Sequence, residues 1–163
     1  MTQPSPPRRS ATPRPQRVRQ APILGVGETH RLEALGAGVG PVDVAVTRVI
    51  SRLPLSSAEQ RFYGTNRFVA IELSFANRGM KTFDASLVTD SRLFMSDDSV
   101  VDPVFFSFTH CQAPDLRVAA RRGGRGCIAF MVPQGAKPRT FQYNRLLLAT
   151  PGRSYVKWDL RGR

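Results

Sequence analysis

Two cysteines, two histidines and a cluster of arginines are the side chains of this 163-residue sequence best suited to chemistry. Cys111 and Cys127 are the only cysteines, and a separation of sixteen positions suits neighbouring strands. We therefore predict a disulfide, which would stabilise the fold by about 3 kcal/mol through the unfolded state. Free thiols remain an alternative, as does a copper or zinc site that includes His110 and either His30 or a methionine. Because neither a CxxC nor an HxxxH spacing is present, we expect no metal and no other cofactor.

Four arginines lie beside a glycine-rich stretch, and they are Arg117, Arg121, Arg122 and Arg125. Guanidinium groups and free backbone amides can bind phosphate or an anionic polymer, so these arginines are a candidate anion-binding site. The competing interpretation is a solvated hairpin turn that leads into the Cys127 strand, with Gly123, Gly124 and Gly126 adopting positive φ where the turn needs it. The segment lacks the interleaved aromatic residues of a nucleic-acid platform, so we expect no sequence-specific recognition of nucleic acid.

Acidic residues and nucleophiles give weaker signals. Asp97 and Asp98, with Asp90 and Asp102 nearby, could suggest calcium, but the alternating oxygens, glycine and terminal glutamate of an EF-hand are missing. A polar turn between two strands is the expected structure. The sequence contains no Gly-x-Ser-x-Gly motif and no pair of carboxylates on identifiable facing strands, so we expect no catalysis.

Strand patterns must position these residues. Period-two alternation and turn residues predict about eight strands, at residues 28–35, 42–53 with a bulge at 47–48, 69–75, 87–95, 104–109, 126–133, 140–148 and 155–160. Residues 77–79 are a predicted turn, and residues 56–63 could form one or two helical turns. This spacing predicts an antiparallel β-sandwich.

The alternation also predicts the core. Its expected members are Val44, Val46, Val69, Ile71, Leu73, Phe75, Ile128, Phe130, Val132 and Trp158. Cys127 alternates with Ile128 and therefore faces away from them, so the predicted disulfide would lie outside the core.

Composition divides the chain into two parts. Residues 1–22 hold six of the 13 prolines, five arginines and no acid, which predicts a disordered arm followed by one domain at residues 23–163. No apolar run approaches the roughly 18 residues of a membrane span. Residues 21–26 are too short and too interrupted by proline for an export signal, whereas a closely spaced cysteine pair favours an oxidising compartment.

Two stretches carry a family resemblance. The sequence FVAIELSFANRG at residues 68–79, and the later pattern Gly126-x-x-x-Phe130-x-Val132-Pro133-x-Gly135-x-x-Pro138, resemble a bacterial immunoglobulin-like domain of unknown function. That family occurs in actinobacterial lipoproteins and secreted antigens, and it is sometimes labelled a telomeric-repeat-binding factor, although nothing here resembles a DNA-reading helix. The resemblance implies an immunoglobulin-like sandwich, an extracytoplasmic location and a cysteine pair such as Cys111–Cys127.

These observations predict a non-catalytic binding or structural module of the cell envelope or extracellular space. Its partner would be an unidentified protein or envelope polymer, with weak contact to an anionic polymer or a lipid surface. The alternative is an intracellular polyanion or nucleic-acid binder that uses the arm and the 117–125 loop, because the formal net charge is +12.

Overall fold

The computed structural model describes residues 22–33, 40–112, 115–144 and 155–161. Within these ranges the chain forms eleven strands and two short helices. They are β1 (Ile23–Gly25), β2 (Thr29–Leu32), β3 (Val42–Ile50), α1 (Ser57–Tyr63), β4 (Arg67–Asn77), β5 (Phe83–Ser86), α2 (Leu87–Asp90), β6 (Ser91–Met95), β7 (Val100–Val101), β8 (Asp115–Val118), β9 (Gly123–Val132), β10 (Pro138–Asn144) and β11 (Tyr155–Asp159). Residues 1–21 of the predicted arm and residues 34–35 and 145–148 of two predicted strands lie outside the described residues.

The strands form a β-sandwich, as the sequence predicts. One sheet has the order β1-β11-β10-β6-β7 and the other β2-β3-β4-β9, while β5 and β8 form a separate two-stranded sheet. Among the described strands, every pair is antiparallel except β1 with β11, which is parallel. The predicted bulge in β3 is confirmed, because the β3–β4 register shifts between Val46 and Arg48.

The main core lies between the two large sheets. All ten residues predicted for it are buried there. Rings from opposite sheets meet edge to face, with centroids 6.2 Å apart for Phe130 and Phe141 and 5.5 Å apart for Phe75 and Tyr143. Such contacts pack one sheet against the other. The period-two alternation in β4 and β9 therefore predicts correctly which of their side chains face the opposite sheet.

A second apolar cluster covers the outer face of β4 and β9. Its buried members are Leu53, Phe68, Ala70, Phe108, Cys111, Cys127 and Ala129. Residues 68–71 are consequently buried on both faces of the sheet. The period-two pattern of residues 69–75 predicts a strand buried on one face only, which is wrong for this part of β4. The cause is the cover that α1 and residues 103–112 provide.

One predicted strand is wrong in part and another is wrong entirely. Residues 87–90 form α2, in which the Thr89 hydroxyl donates to the Ser86 carbonyl, and only residues 91–95 of the predicted 87–95 are extended. Residues 104–109 form no strand. Pro103, just before them, makes an isolated bridge to Phe130 of β9, and Phe108 bridges to Cys111 within the same segment.

The basic segment is not the expected hairpin. Arg117 lies on β8, which pairs with β5 rather than with β9, and the turn at residues 119–122 therefore connects two different sheets. Positive φ occurs at Arg121, not at Gly123, Gly124 or Gly126. Gly124 is needed for another reason, since a Cβ there would approach Val118 Cγ2 to 2.8 Å.

Candidate functional site

Exposed apolar side chains are concentrated on the outer side of the second cluster. We define the aromatic surface as Phe62, Tyr63, Phe105, Phe106 and Met131. Phe62 and Phe105 are 81% and 82% exposed, and Phe106 and Met131 are about half exposed. Large apolar groups exposed together mark sites of contact with another molecule, whereas single ones are ordinary.

Tyr63 connects these rings to the protein interior. Its ring stacks on Phe106 with centroids 5.3 Å apart and meets Phe62 edge to face at 4.8 Å. It also contacts the buried ring of Phe68 at 5.3 Å. Met131 lies opposite Phe68 in the β4–β9 ladder and so shares its face of the sheet. Phe62, Tyr63 and Phe106 are therefore continuous with the second cluster, and Phe105 adjoins them as the residue before Phe106 in the chain.

The position of α1 is fixed by a capping box. Glu59 N donates to the Ser56 hydroxyl at 3.3 Å, and Ser56 N donates to Glu59 Oε2 at 2.7 Å. The other carboxylate oxygen of Glu59 accepts from the Thr109 amide at 2.7 Å and from its hydroxyl at 3.1 Å. One carboxylate thus joins the helix that carries Phe62 to the loop that carries Phe105.

These bonds also change the acidity of Glu59. The Ser56 and Thr109 amides stabilise the ionised carboxylate and lower its pKa from 4.5 to about 2. Glu59 is therefore ionised at any physiological pH, and the bonds between helix and loop keep a charged acceptor.

The disulfide holds the other end of the same loop. Cys111 and Cys127 are bonded, with their Cα atoms 5.1 Å apart, and the Cys127 amide donates to the Gln112 carbonyl at 3.1 Å. The bond lies outside the main core, as predicted, yet both cysteines are buried in the second cluster. It joins β9 to a crossing loop rather than to a neighbouring strand.

A polar groove of about 370 Å³ borders the disulfide. Its lining includes Glu72, His110, Gln112, Arg125 and Cys127. Arg48 approaches Glu72 to 3.8 Å beside the β3 bulge. Because the cysteine that lines the groove is oxidised, the groove offers no thiol nucleophile or thiolate ligand.

The predicted anion-binding arginines are not brought together by one sheet. Arg117 is on β8 and pairs with Asp84 at 3.4 Å, Arg121 and Arg122 are in the turn, and Arg125 is on β9 at the groove. The turn is attached to the end of β4, where the Asn77 amide donates to the Arg122 carbonyl at 2.9 Å. Anion binding by these residues stays a prediction.

The residues considered for metals have other roles. The cysteines form the disulfide, and His30 lies on β2, at the opposite edge of the sheet from Cys127. Burial lowers the pKa of His30. Asp97 accepts from the amide and hydroxyl of Ser99, and Asp98 pairs with Arg139, so this segment is the expected polar turn. Within the described ranges, no group of three or more His, Cys, Asp or Glu side chains could hold a metal ion.

The sequence does not predict the aromatic surface. Phe62 falls in a segment for which only one or two helical turns are predicted, and residues 105 and 106 fall in a predicted strand. One signal was present, because Phe105, Phe106 and Phe108 do not alternate as one half-buried strand requires.

The fold and the site together define a β-sandwich protein with an exposed aromatic surface beside a disulfide. No protein-family model and no curated protein matches the sequence. Among solved structures, the secreted protein MPT63 of Mycobacterium tuberculosis is similar, with a TM-score of 0.60 and 10% identity over 85% of this chain and 97% of that one. The yjhA protein of Bacillus subtilis gives a TM-score of 0.56 and 16% identity, over 85% and 99% of the two chains.

A third similar structure is the lipoprotein-like protein ycdA of Bacillus subtilis, with a TM-score of 0.56 and 13% identity. The match covers 81% of this chain but only 38% of that one. At such identities the likeness shows a shared β-sandwich fold. Neither helix in the described ranges is long and apolar enough to cross a membrane.

Proposed function

We propose that this protein is a non-catalytic binding module that acts at the cell envelope or outside the cell, as the resemblance to the actinobacterial immunoglobulin-like family implies. The observation that carries the proposal is the aromatic surface. Aromatic side chains dominate the energetics of binding sites, and here three phenylalanines are at least 45% exposed on two elements that are fixed to each other.

The location is supported by two observations. The disulfide between Cys111 and Cys127 is of the kind that persists in oxidising compartments. Two proteins of similar fold are named secreted and lipoprotein-like. A module outside the cytoplasm would retain this bond and with it the loop that carries Phe105 and Phe106.

A non-catalytic role is supported by the structural contacts of Asp43, Glu59 and Asp159, three acids whose pKa is lowered. Asp43 accepts from Arg31 and Arg78, Glu59 caps α1, and Asp159 pairs with Arg161. Each of these contacts lowers the pKa of the carboxyl and stabilises the structure around it, whereas a general acid at neutral pH needs a raised pKa. Burial does raise the pKa of Asp90, but its carboxylate accepts from the neighbouring Thr89 hydroxyl within α2.

The test is co-sedimentation of the purified full chain with cell envelopes isolated from the source organism. The double variant Phe105→Ser, Phe106→Ser should lose at least roughly tenfold in binding, since each ring buried on contact contributes about 1.5–3 kcal/mol. Met80→Ser is the matched control, because Met80 is 69% exposed but lies beside Arg121. Equal binding by the double variant and the control would refute the proposal.

A further inference from the structure

We infer that the aromatic surface inserts into the headgroup region of a lipid membrane that contains anionic lipids. The inference rests on the proposed function and names its partner. It follows from the exposure of the rings, the charges beside them and the rigidity of the elements that carry them.

The exposure of Phe62 and Phe105 favours a fluid partner. Each ring is more than 80% exposed, so it touches little of its own protein and a partner must surround it on nearly all sides. A protein partner would need two separate pockets at matched positions. The boundary between headgroups and acyl chains accommodates each ring independently, and aromatic residues are enriched at that depth.

Charges beside the aromatic surface are mainly positive. Residues 50–68, which include α1, contain Arg52, Arg61 and Arg67 but only one acid, Glu59. Three donors from Ser56 and Thr109 already engage that carboxylate. Residues 103–112 and 126–134 contain no Asp, Glu, Lys or Arg, so nothing there repels an anionic surface. Each arginine close to anionic headgroups strengthens binding roughly fivefold.

The elements that carry the rings are fixed to one another before any partner arrives. The capping box fixes α1, the Glu59–Thr109 bonds join α1 to the loop, and the disulfide fixes the loop to β9. Tyr63 stacked on Phe106 supports the base of the surface. Little conformational entropy is therefore lost on insertion, and even a few rings can give measurable binding.

The direct test uses Phe105→Trp in the full chain as a reporter. The native Trp158 is fully buried, so its emission should stay constant while a tryptophan at position 105 reports its own surroundings. Adding vesicles of phosphatidylcholine and phosphatidylglycerol should shift that emission to shorter wavelength. Vesicles whose acyl chains carry bromine should quench it. Val100→Trp is the control, because Val100 is 52% exposed on β7, in the other sheet, and its emission should not change.

Vesicle sedimentation measures the energetics with the native chain. The double variant Phe62→Ser, Phe105→Ser should bind phosphatidylglycerol vesicles at least roughly tenfold more weakly than the unmodified protein. Val100→Ser, with a substitution on exposed β7, should bind as the unmodified protein does. Pure phosphatidylcholine vesicles should bind more weakly than the mixed ones, because the arginine contribution is lost.

Three outcomes would overturn the inference. An unchanged emission at position 105 in the presence of vesicles would exclude insertion. Equal vesicle binding by the double variant would show that arginines elsewhere in the chain carry the attraction. A wavelength shift that grows with protein concentration without lipid would identify a second copy of this chain as the partner. If the protein does not bind vesicles but still binds envelopes through Phe105 and Phe106, the lipid assignment is wrong and the proposed function stands.

Discussion

At the scale of single residues, Glu59 determines the geometry of the aromatic surface. Its two carboxylate oxygens accept bonds from two separate segments, the start of α1 and the loop at Thr109. A neutral amide in its place keeps an acceptor oxygen but loses the charge that strengthens these bonds. The relative position of Phe62 and Phe105 therefore depends on one ionised side chain.

The pH dependence of stability should reveal this role of Glu59. Its pKa in the folded protein, about 2, is below its ordinary value of 4.5. Its contribution to the free energy of unfolding is thus complete above about pH 4.5 and is lost as the pH falls toward 2. We expect the difference in unfolding free energy between the unmodified protein and Glu59→Gln to shrink over that window. Urea denaturation from pH 2 to pH 6 measures it, and a difference that is constant with pH would contradict the assignment.

Phe130→Ala should be among the most destabilising substitutions. The ring is fully buried on β9 and meets Phe141 of the other sheet, so its removal empties a site shared by both sheets. We expect a loss of about 3–5 kcal/mol in the free energy of unfolding. Glu72→Ala, on the opposite face with an ion pair at 3.8 Å, should cost less than about 1 kcal/mol. An unchanged denaturation midpoint for Phe130→Ala would contradict this description of the core.

The sequence predicts buried residues of regular strands better than exposed ones. The phase of Val69, Ile71 and Leu73 follows from strand geometry, and all three are buried in the main core. The exposure of Phe105 depends on where a loop crosses the sheet, which local pattern does not specify. Large aromatic residues in an irregular segment are therefore easily predicted to be buried, whereas here Phe105 and Phe106 belong to the candidate site.

At the scale of elements, the segment at residues 103–112 is a cover for β9 rather than a strand. It bonds to β9 at three points, through Val104 N, Cys127 N and the disulfide. This cover encloses the second cluster, with Phe108 packed against Phe68 at a centroid distance of 4.7 Å. The loop that carries Phe105 and Phe106 is thereby folded without a continuous ladder.

Removing the disulfide should loosen this cover and destabilise the protein. The double variant Cys111→Ala, Cys127→Ala should lose about 3 kcal/mol, because the bond closes a loop with a sequence separation of 16 residues. Chemical denaturation under non-reducing conditions measures the loss. A reducing agent should destabilise the unmodified protein similarly and leave the double variant unaffected. Equal stability of the two proteins without reductant would show that the cover does not depend on the bond.

Elements that lack a period were not predictable from the sequence. The strands β5 and β8 are four residues each and, among the described residues, pair with each other alone, so neither shows a long alternation. The start of α2 lies in a segment that the sequence predicts to be extended, yet Leu87 reaches the core from a helical turn. The sequence predicts that Gly124 provides positive φ for a turn. In the structure, a side chain at this position would instead crowd Leu116 and Val118.

At the scale of the whole molecule, the aromatic surface and the basic turn lie at opposite ends of β4. The strand begins at Arg67, close after α1, and ends at Asn77, which bonds to the Arg122 carbonyl. An eleven-residue strand spans roughly 30 Å at about 3.3 Å per residue. This distance is well beyond the Debye length of about 8 Å at physiological salt, so the turn adds little to the potential at the aromatic surface.

Binding of anionic polymers should therefore be a separate and weakly selective property. We expect a smaller salt dependence of duplex DNA binding when glutamine replaces Arg117, Arg121, Arg122 and Arg125. The slope of log affinity against log salt concentration should fall by at most about 3–4 units. Removing residues 1–22 should reduce it by a few units as well. Affinity measured from low to physiological salt tests this, with Arg92→Gln as a control, because Arg92 pairs with Asp102 at 3.1 Å. Strong preference for one sequence at physiological salt would require a dedicated recognition site.

The parallel pairing of β1 with β11 determines how the sandwich responds to mechanical force. Ile23 lies beside Lys157 and Gly25 beside Asp159, so tension applied through residue 22 and residue 161 pulls the two strands in opposite directions along their length. Their hydrogen bonds are then loaded together in shear rather than opened one at a time. A protein stretched between two attachments would resist extension at this pair of strands before its core is strained.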